Sequence, residues 1–328
     1  MTTIQDVAKH AQVGVATVSR VLNGTGYVKD STKERVLQAI KELNYTPNEM
    51  AKNLFHRRSG IVAVIVPEVS HPFFAEFLNA TEVALYDYGY QMMICNTWRE
   101  QNYEKKYLEM LKQQRVDGLI FCAHTLDTEV YQSTDRPIVS LDRDLGSEIP
   151  YVTVDHEKGG RLAAQALIDA GCKNVVQCTG QDYVNSLFNE RHDVFEQCLK
   201  EKGIVCHNFI TEWNKFEPEY YEQIAEEITS EHEDADGFFA TDVIALMLIK
   251  AAMKKGRRFP QDFKVVAYDG TFASNIFYPS VTTIEQPIQQ LSKECVRLIM
   301  QLISGNKVEN RKVQLDVKVR EGESTIPF

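Results

Sequence analysis

The sequence predicts two parts in series: a small all-α head, then an α/β body built as two parallel-sheet lobes. Three observations predict it. Within the first 45 residues apolar side chains recur at helical spacing in three short runs, and from Ile61 onward short β-rich runs alternate with helical stretches. The charge divides at the same place. Residues 1–59 carry nine Lys/Arg against five Asp/Glu, whereas the remainder carries 27 against 41. A modestly basic head on an acidic body suits a module that meets a polyanion, attached to a body that must not adhere to it.

The whole-chain numbers exclude several classes. At 328 residues the chain has room for about two domains, and 44% hydrophobic with 25% charged residues is ordinary for a soluble globular protein. No window approaches 18 consecutive apolar residues, and MTTIQDVAKHAQ lacks a secretory signal pattern, so the expected location is the cytoplasm and no membrane partner is expected. Seven cysteines without a C-x-x-C pair argue for reduced core residues rather than a disulfide framework or a metal site.

In the head, Thr3 with Asp6 marks a helix start, and Ile4, Val7, Ala8 and Ala11 form one apolar stripe. After a break at QVG, VATVSRVLN resumes helical spacing with Val18, Val21 and Leu22 inward, until Asn23-Gly24 stops it. Its outer face is Ala16, Arg20 and Asn23, flanked by Thr17 and Ser19: small, hydroxylic and basic. A third helix is expected from Ser31, with Glu34 completing a capping box and Val36, Leu37, Ile40 and Leu43 packed. Periodicity alone also fits a generic three-helix bundle. Read as a helix-turn-helix, the unit places its second helix in the major groove, where an Arg reads guanine and small side chains touch thymine methyls.

The stretch TPNEMAKNLFHRRSG, residues 46–60, opens with Thr46 at N-cap, Pro47 at N1 and Glu49 at N3. The helix ends near Phe55, and isolated helices below about 12–15 residues are marginal in water. Its folding is therefore expected to depend on binding, with Met50, Ala51 or Leu54 burying against a second copy or DNA.

In the body, IVAVIV, YQMMICN, GLIFCA, PIVSL, YVTVD, NVVQCTG, GFFAT and KVVAYDG read as strands among about ten in all, too many for one open sheet and divided near Val154. Ligands in such folds bind outside the carboxyl ends of the strands. Those ends present Ser70 to Phe74, Asp142-Arg143, Asp155-His156, Thr241-Asp242 and Asp269. Carboxylates paired with Arg suit a polyhydroxyl ligand, because each takes sugar hydroxyls in charge-assisted hydrogen bonds. An Asp before a helix is also an ordinary N-cap.

TIQDVAKHAQVGVATVSRVLN resembles the N-terminal signature of the lac repressor family of bacterial transcription regulators, and LNYTPNEMAKNL resembles that family's hinge segment. The likeness continues to about residue 317. It implies a helix-turn-helix DNA-binding domain over 1–45, a hinge helix and linker over 46–60, and an effector-binding and dimerisation domain over 61–328. That body is implied to be periplasmic-binding-protein-like: two parallel-sheet, Rossmann-like lobes, one of about 61–154 plus a segment returning after 286, the other of about 155–285 plus a C-terminal segment. The resemblance further implies a homodimer on a pseudo-palindromic operator, a sugar or sugar phosphate between the lobes, no cofactor and no catalysis.

By the same resemblance Val15 and Ala16 read operator bases, with Arg20 and Asn23 also in the groove region. Leu54 is the minor-groove wedge, with Ala51 and Lys52 beside it. Thr3, Thr17, Ser19, Tyr45 and Asn48 complete the candidate DNA set. Asp142, Arg191, Trp213, Asp269 and Gln286 hold the effector, Trp213 offering a ring face. Ser70, Phe73, Phe74, Arg143, Asp155 and Asp242 join them from the strand ends. Departures from the family pattern are Gln12 for Gly, Gly14 for Ser, Val194 for Gly, His156 for Asn and Thr241 for Asn. ICNTWREQNYEKKYLEMLKQQRVDGLI and VVAYDGTF are similar to sucrose-operon repressors, which leaves sucrose, fructose and sucrose 6-phosphate as candidate effectors.

The chain has no G-x-x-x-x-G-K-[ST], H-E-x-x-H or G-x-S-x-G, and its G-T-G lacks a preceding strand, so an enzyme is not expected. A sugar-binding transport protein is the other rival. The DNA-binding head and the lack of a signal peptide count against it.

Overall fold

The structure, a computed structural model, describes residues 2–46, 58–97, 103–123, 127–146, 148–181, 186–213 and 215–326. The chain separates into two compact units, Met1–Ser59 and Gly60–Phe328.

In the head, helices α1 (Ile4–His10), α2 (Val15–Asn23) and α3 (Asp30–Glu42) enclose Val7, Ala8, Ala11, Val18, Val36 and Ala39. The α1 start is a reciprocal capping box: Thr3 N donates to Asp6 Oδ2 at 2.8 Å, and Asp6 N donates to Thr3 Oγ1 at 3.3 Å. The Thr3 hydroxyl and then the Thr3 N–H, both donating to Asp6 Oδ2, hold the exposed Asp6 carboxyl below its ordinary range. Gln12 carries the tight turn with φ +54°, Gly14 is the N-cap of α2, and Gly24 ends that helix with φ +63°.

Two expectations for α3 are corrected. The helix begins at Asp30 with Lys29 as N-cap and no side-chain cap bond, so Ser31 and Glu34 form no capping box. Asp30 instead supplies a carboxylate to the first turn, where the helix dipole favours it. Leu37 is 49% exposed, because the buried stripe runs through Val36 and Ala39, one position to its side.

The body holds strands β1 (Ile61–Val66), β2 (Gln91–Asn96), β3 (Gly118–Phe121), β4 (Ile138–Leu141), β5 (Tyr151–Val154), β6 (Asn174–Thr179), β7 (Val205–Ile210), β8 (Gly237–Thr241), β9 (Lys264–Asp269), β10 (Thr282–Glu285), β11 (Lys312–Leu315) and β12 (Lys318–Arg320). Its helices are α4 (Pro72–Asp87), α5 (Tyr103–Lys112), α6 (Thr128–Gln132), α7 (His156–Asp169), α8 (Glu190–Glu201), α9 (Pro218–Glu231), α10 (Asp242–Lys254), α11 (Ala273–Ile276) and α12 (Ile288–Ile303).

The strands form two six-stranded sheets, in the orders β11-β5-β4-β3-β1-β2 and β12-β10-β9-β8-β6-β7. Every pairing is parallel except that of β12 with β10. The chain passes between the sheets after β5, after β10 and after β11. The second passage sends α12 back onto α4 and the first sheet, with Leu291, Cys295, Val296, Leu298 and Ile299 buried along its inner face. Four strands absent from the eight runs picked out in the sequence, β7, β10, β11 and β12, complete the sheets. The edge strands β7 and β11 have no continuous apolar run: His207-Asn208 interrupts β7, and β11 alternates exposed Lys312 and Gln314 with half-buried Val313 and Leu315.

Candidate functional site

In the head, the outer surface of α2 carries exposed Ala16, Arg20 and Asn23, with Val15 42% exposed. Thr17 and Ser19 are half-buried, and Asn23 Nδ2 donates to Ser19 Oγ at 3.2 Å. Thr3 spends its hydroxyl on the α1 cap, and Tyr45 packs against the head core. Tyr27, 90% exposed in the loop after α2, is an aromatic the sequence reading passed over. Asn48, Ala51, Lys52 and Leu54 lie outside the described residues.

The body encloses a cavity of about 210 Å³ between the carboxyl ends of both sheets. Leu141 and Asp142 line it from the first lobe. Thr179, Thr241 and Asp269 line it from the second, and Gln286 lines it at the crossover after β10. The N-terminus of α4 adds His71, Phe73 and Phe74, the start of α8 adds Arg191 and His192, and the segment after β7 adds Trp213, Lys215 and Phe216.

Two carboxylates face this space from strained backbone. Asp142 has φ +56° and Asp269 φ +113°, conformations that non-glycine residues keep only when their surroundings enforce them. The Asp142 carbonyl accepts from Leu187 N at 3.0 Å and Ser186 Oγ at 2.9 Å, which pins that turn from the second lobe. Its Oδ1 accepts from Thr153 Oγ1 at 2.8 Å and His156 Nε2 at 3.0 Å, so neither bond uses Oδ2. With Nε2 donating to Asp142, the His156 ring accepts at Nδ1 from the Tyr268 hydroxyl at 3.0 Å. Burial alone raises the Asp142 carboxyl, but His156, Thr153 and Arg191 together outweigh it and hold the group below its ordinary range.

Asp269 goes the other way. Burial and then the neighbouring Asp242 push it up to about 8, against partial relief from Arg191 and from Gln286, whose Nε2 donates to Oδ1 at 2.9 Å. Between its ordinary 3.8 and about 8 the folded chain therefore holds a proton that the unfolded chain releases. Unliganded stability must fall as pH rises through that window. Asp269→Asn is expected to flatten the decline, melting above the parent at pH 8 and with it near pH 4. Thermal melts across pH 4–8.5 check this, and parallel curves for the two proteins contradict it.

Between the carboxylates, the Arg191 guanidinium lies 4.1 Å above the Tyr268 ring and 5.5 Å from Phe188, which stacks on Trp213 with centroids 6.1 Å apart and planes within 9°. Arg191 Nε donates to His192 Nε2 at 3.2 Å, which fixes the tautomer: His192 Nδ1 donates to Gln177 Oε1 at 3.0 Å. Gln177 donates on to Asn208, and Asn208 to Glu196. Burial and Arg191 hold His192 well below its ordinary value, so it stays neutral. Arg191 Nε is thus committed to this chain, while the guanidinium itself lines the cavity. Gly160 on α7 permits the approach, since a Cβ there meets the Arg191 carbonyl oxygen at 2.2 Å.

Residues 3–48 match the bacterial regulatory proteins of the lacI family, and residues 164–325 match the periplasmic binding protein-like domain. The chain is 38% identical to the ribose operon repressor of Halalkalibacterium halodurans, over 99% of this chain and 97% of that protein. It is 35% identical to the sucrose operon repressor of Pediococcus pentosaceus, over 97% and 98%. The chain belongs to the lacI family. Among solved structures, the lac repressor dimer bound to operator and the anti-inducer ONPF superposes with a TM-score of 0.86 at 26% identity, covering 99% of each chain.

Five of the eleven effector-site candidates come from the lacI-family resemblance and six from the strand ends alone, and the structure divides them. Phe73, Phe74, Asp142, Arg191, Trp213, Asp269 and Gln286 line the cavity. Ser70, Arg143, Asp155 and Asp242 do not. Ser70 caps its own turn by bonding Glu68, and Arg143 turns over the Tyr131 ring at 5.9 Å. Asp155 is the N-cap of α7, accepting from Lys158 N at 2.8 Å. Asp242 is buried at the start of α10, accepting from Thr271 N and Oγ1 at 2.7 Å and Thr283 Oγ1 at 2.9 Å. His156 supports Asp142 from outside the cavity wall, and Thr241 lines the wall. His71, Phe188, His192 and Phe216 were missed; the aromatic content around SHPFF and SLFNER was the available signal.

Among the described residues no group of three or more His, Cys, Asp or Glu could hold a metal ion, and no helix is long and apolar enough to cross a membrane. The seven cysteines are free, Cys198 and Cys206 only half-buried; Cys122 and Cys178 touch the cavity.

Proposed function

We propose that the chain represses a carbohydrate-utilisation operon and is released from its operator by a sugar held between the body's lobes. One observation carries the reading: strand ends of both lobes bring two carboxylates, one arginine and stacked aromatic rings to a single cavity, in a lacI-family chain with a helix-turn-helix head. Carboxylates and arginine take hydroxyls, and the rings cover the apolar face of a sugar. Sucrose, fructose and sucrose 6-phosphate are candidates from the sequence. Ribose joins them because a 38% identical relative is named a ribose operon repressor.

A homodimer is supported by exposed apolar side chains on both lobes, Val83, Tyr86 and Ile94 on the first and Phe272, Ile276 and Tyr278 on the second. A two-fold dimer presents two heads to a pseudo-palindromic operator. Leu54, Ala51 and Lys52 then meet at the operator's centre, where hinge helices too short to be stable alone fold against each other and the minor groove. Sugar changes the angle between the lobes, and its coupling to DNA affinity is reciprocal.

On the head, Arg20 stands exposed on α2 as the groove-reading cation. Arg20→Ala is expected to weaken operator binding by about 10- to 100-fold, the worth of a bidentate guanine contact, while sugar affinity stays unchanged. Anisotropy titrations of an operator duplex and of sugar check both halves; equal loss of both points to misfolding.

A further inference from the structure

The charges lining the cavity say more about the ligand. Among the described residues its cationic side chains are Arg191 and Lys215. Arg191 spends Nε on His192 and one ring face on Tyr268, and its charge already offsets Asp142 and Asp269. Lys215 Nζ is paired with Glu212 Oε2 at 2.7 Å. His71 and His192 add no charge: burial lowers His71 to about 4 and holds His192 well below its ordinary value. A phosphate, bearing about −1.5 to −2 charges near neutral pH, finds here only cations whose charge is already balanced, Arg191 by Asp142 and Lys215 by Glu212, and meets an ionised Asp142.

Two buried polar atoms of the wall are without hydrogen-bond partners, His71 Nδ1 and Gln286 Oε1. Gln286 has already donated its Nε2 to Asp269, so its oxygen waits for a donor. The His71 ring is held from both sides, 5.6 Å from Phe74 on its own lobe and 5.7 Å from Phe216 on the other. A hydroxyl serves either atom, since it donates and accepts. Leaving such atoms unpaired is costly, and a bound hydroxyl removes that cost. The space is also small. At about 210 Å³ it lies below the roughly 300–1,000 Å³ of sites for drug-sized ligands. That accommodates one ring with its hydroxyls.

We infer that the effector is an unphosphorylated single-ring sugar, and that His71 reads one of its hydroxyls from the first lobe while Gln286 takes another. The inference rests on the sugar-site reading above. His71 thus sets specificity in addition to the carboxylates and Arg191.

The test titrates the full chain with D-ribose, D-fructose and sucrose, and with ribose 5-phosphate, fructose 6-phosphate and sucrose 6-phosphate, following heat or Trp213 fluorescence. A free monosaccharide is expected to bind at least about 100-fold more tightly than its own phosphate, and more tightly than sucrose. His71→Leu should weaken that sugar about 10-fold or more, whereas His71→Gln, which keeps a polar atom, stays within about 3-fold. Neither variant should melt below the parent without ligand, because Nδ1 has no partner to lose. A phosphate or sucrose binding best, or parental affinity in His71→Leu, overturns the inference. If none of the six binds, the sugar-site reading itself falls and takes this inference with it.

Discussion

Arg191→Ala is expected to abolish the response to sugar while leaving the operator occupied. The guanidinium is a positive charge that lowers both cavity carboxylates, and it lines the cavity over the Tyr268 ring, in reach of a bound hydroxyl. Two charge-assisted hydrogen bonds at about 1.5 kcal/mol each amount to about 3 kcal/mol, and each 1.4 kcal/mol is about tenfold. Sugar affinity should therefore fall by about 100-fold or more. Removing the cation also leaves Asp142 and Asp269 facing each other, which raises Asp269 further and works against any ligand needing its carboxylate. Operator binding without sugar should match the parent. Isothermal titration with sugar and anisotropy with operator DNA measure the two halves, and a sugar affinity within about threefold of the parent contradicts the assigned role.

Gly160→Ala is expected to have the largest effect on stability. A Cβ at Gly160 lies 2.2 Å from the Arg191 carbonyl oxygen and 3.0 Å from its Cα, and these backbone atoms belong to α8 and cannot swing aside. Helices α7 and α8 must separate, which costs about 3 kcal/mol, the upper part of the usual overpacking range. Because the residue pushed away is Arg191, sugar affinity falls together with the melting temperature, whereas Arg191→Ala loses affinity alone. Gly159→Ala meets the Tyr268 side chain at 2.7 Å rather than backbone and should cost less. Chemical denaturation of both variants checks the ranking; a Gly160→Ala protein as stable as the parent shows the packing to be looser than the structure has it.

The sequence made the central strands legible because parallel strands covered on both faces read as continuous apolar runs, as in IVAVIV and KVVAYDG. Edge strand β11 was hidden by its alternation and β7 by the polar pair His207-Asn208 at its middle. The carboxylates at the strand ends illustrate a sharper limit. Asp142, Asp155, Asp242 and Asp269 all follow or close an apolar run, yet two face the cavity and two cap backbone. Nothing local distinguishes them; the direction of each side chain is decided by partners distant in sequence, such as Thr271 and Thr283 for Asp242. The Gln177–His192–Arg191 chain was invisible for the same reason. His71 was legible only as part of SHPFF, because its unpaired nitrogen and its place between Phe74 and Phe216 arise from the meeting of two lobes.

The central claim is that sugar in the body controls the grip of the head on DNA. Its most direct test is the affinity of the full chain for an operator duplex at fixed salt, measured with and without a saturating sugar that titration has shown to bind. Fixed salt matters because counterion release alone moves such affinities by orders of magnitude. The account predicts at least about tenfold weaker operator binding with sugar present, and by reciprocity the same factor lost in sugar affinity when operator is present. A bound sugar that leaves operator affinity unchanged contradicts the account, and one that strengthens it reverses the predicted sign.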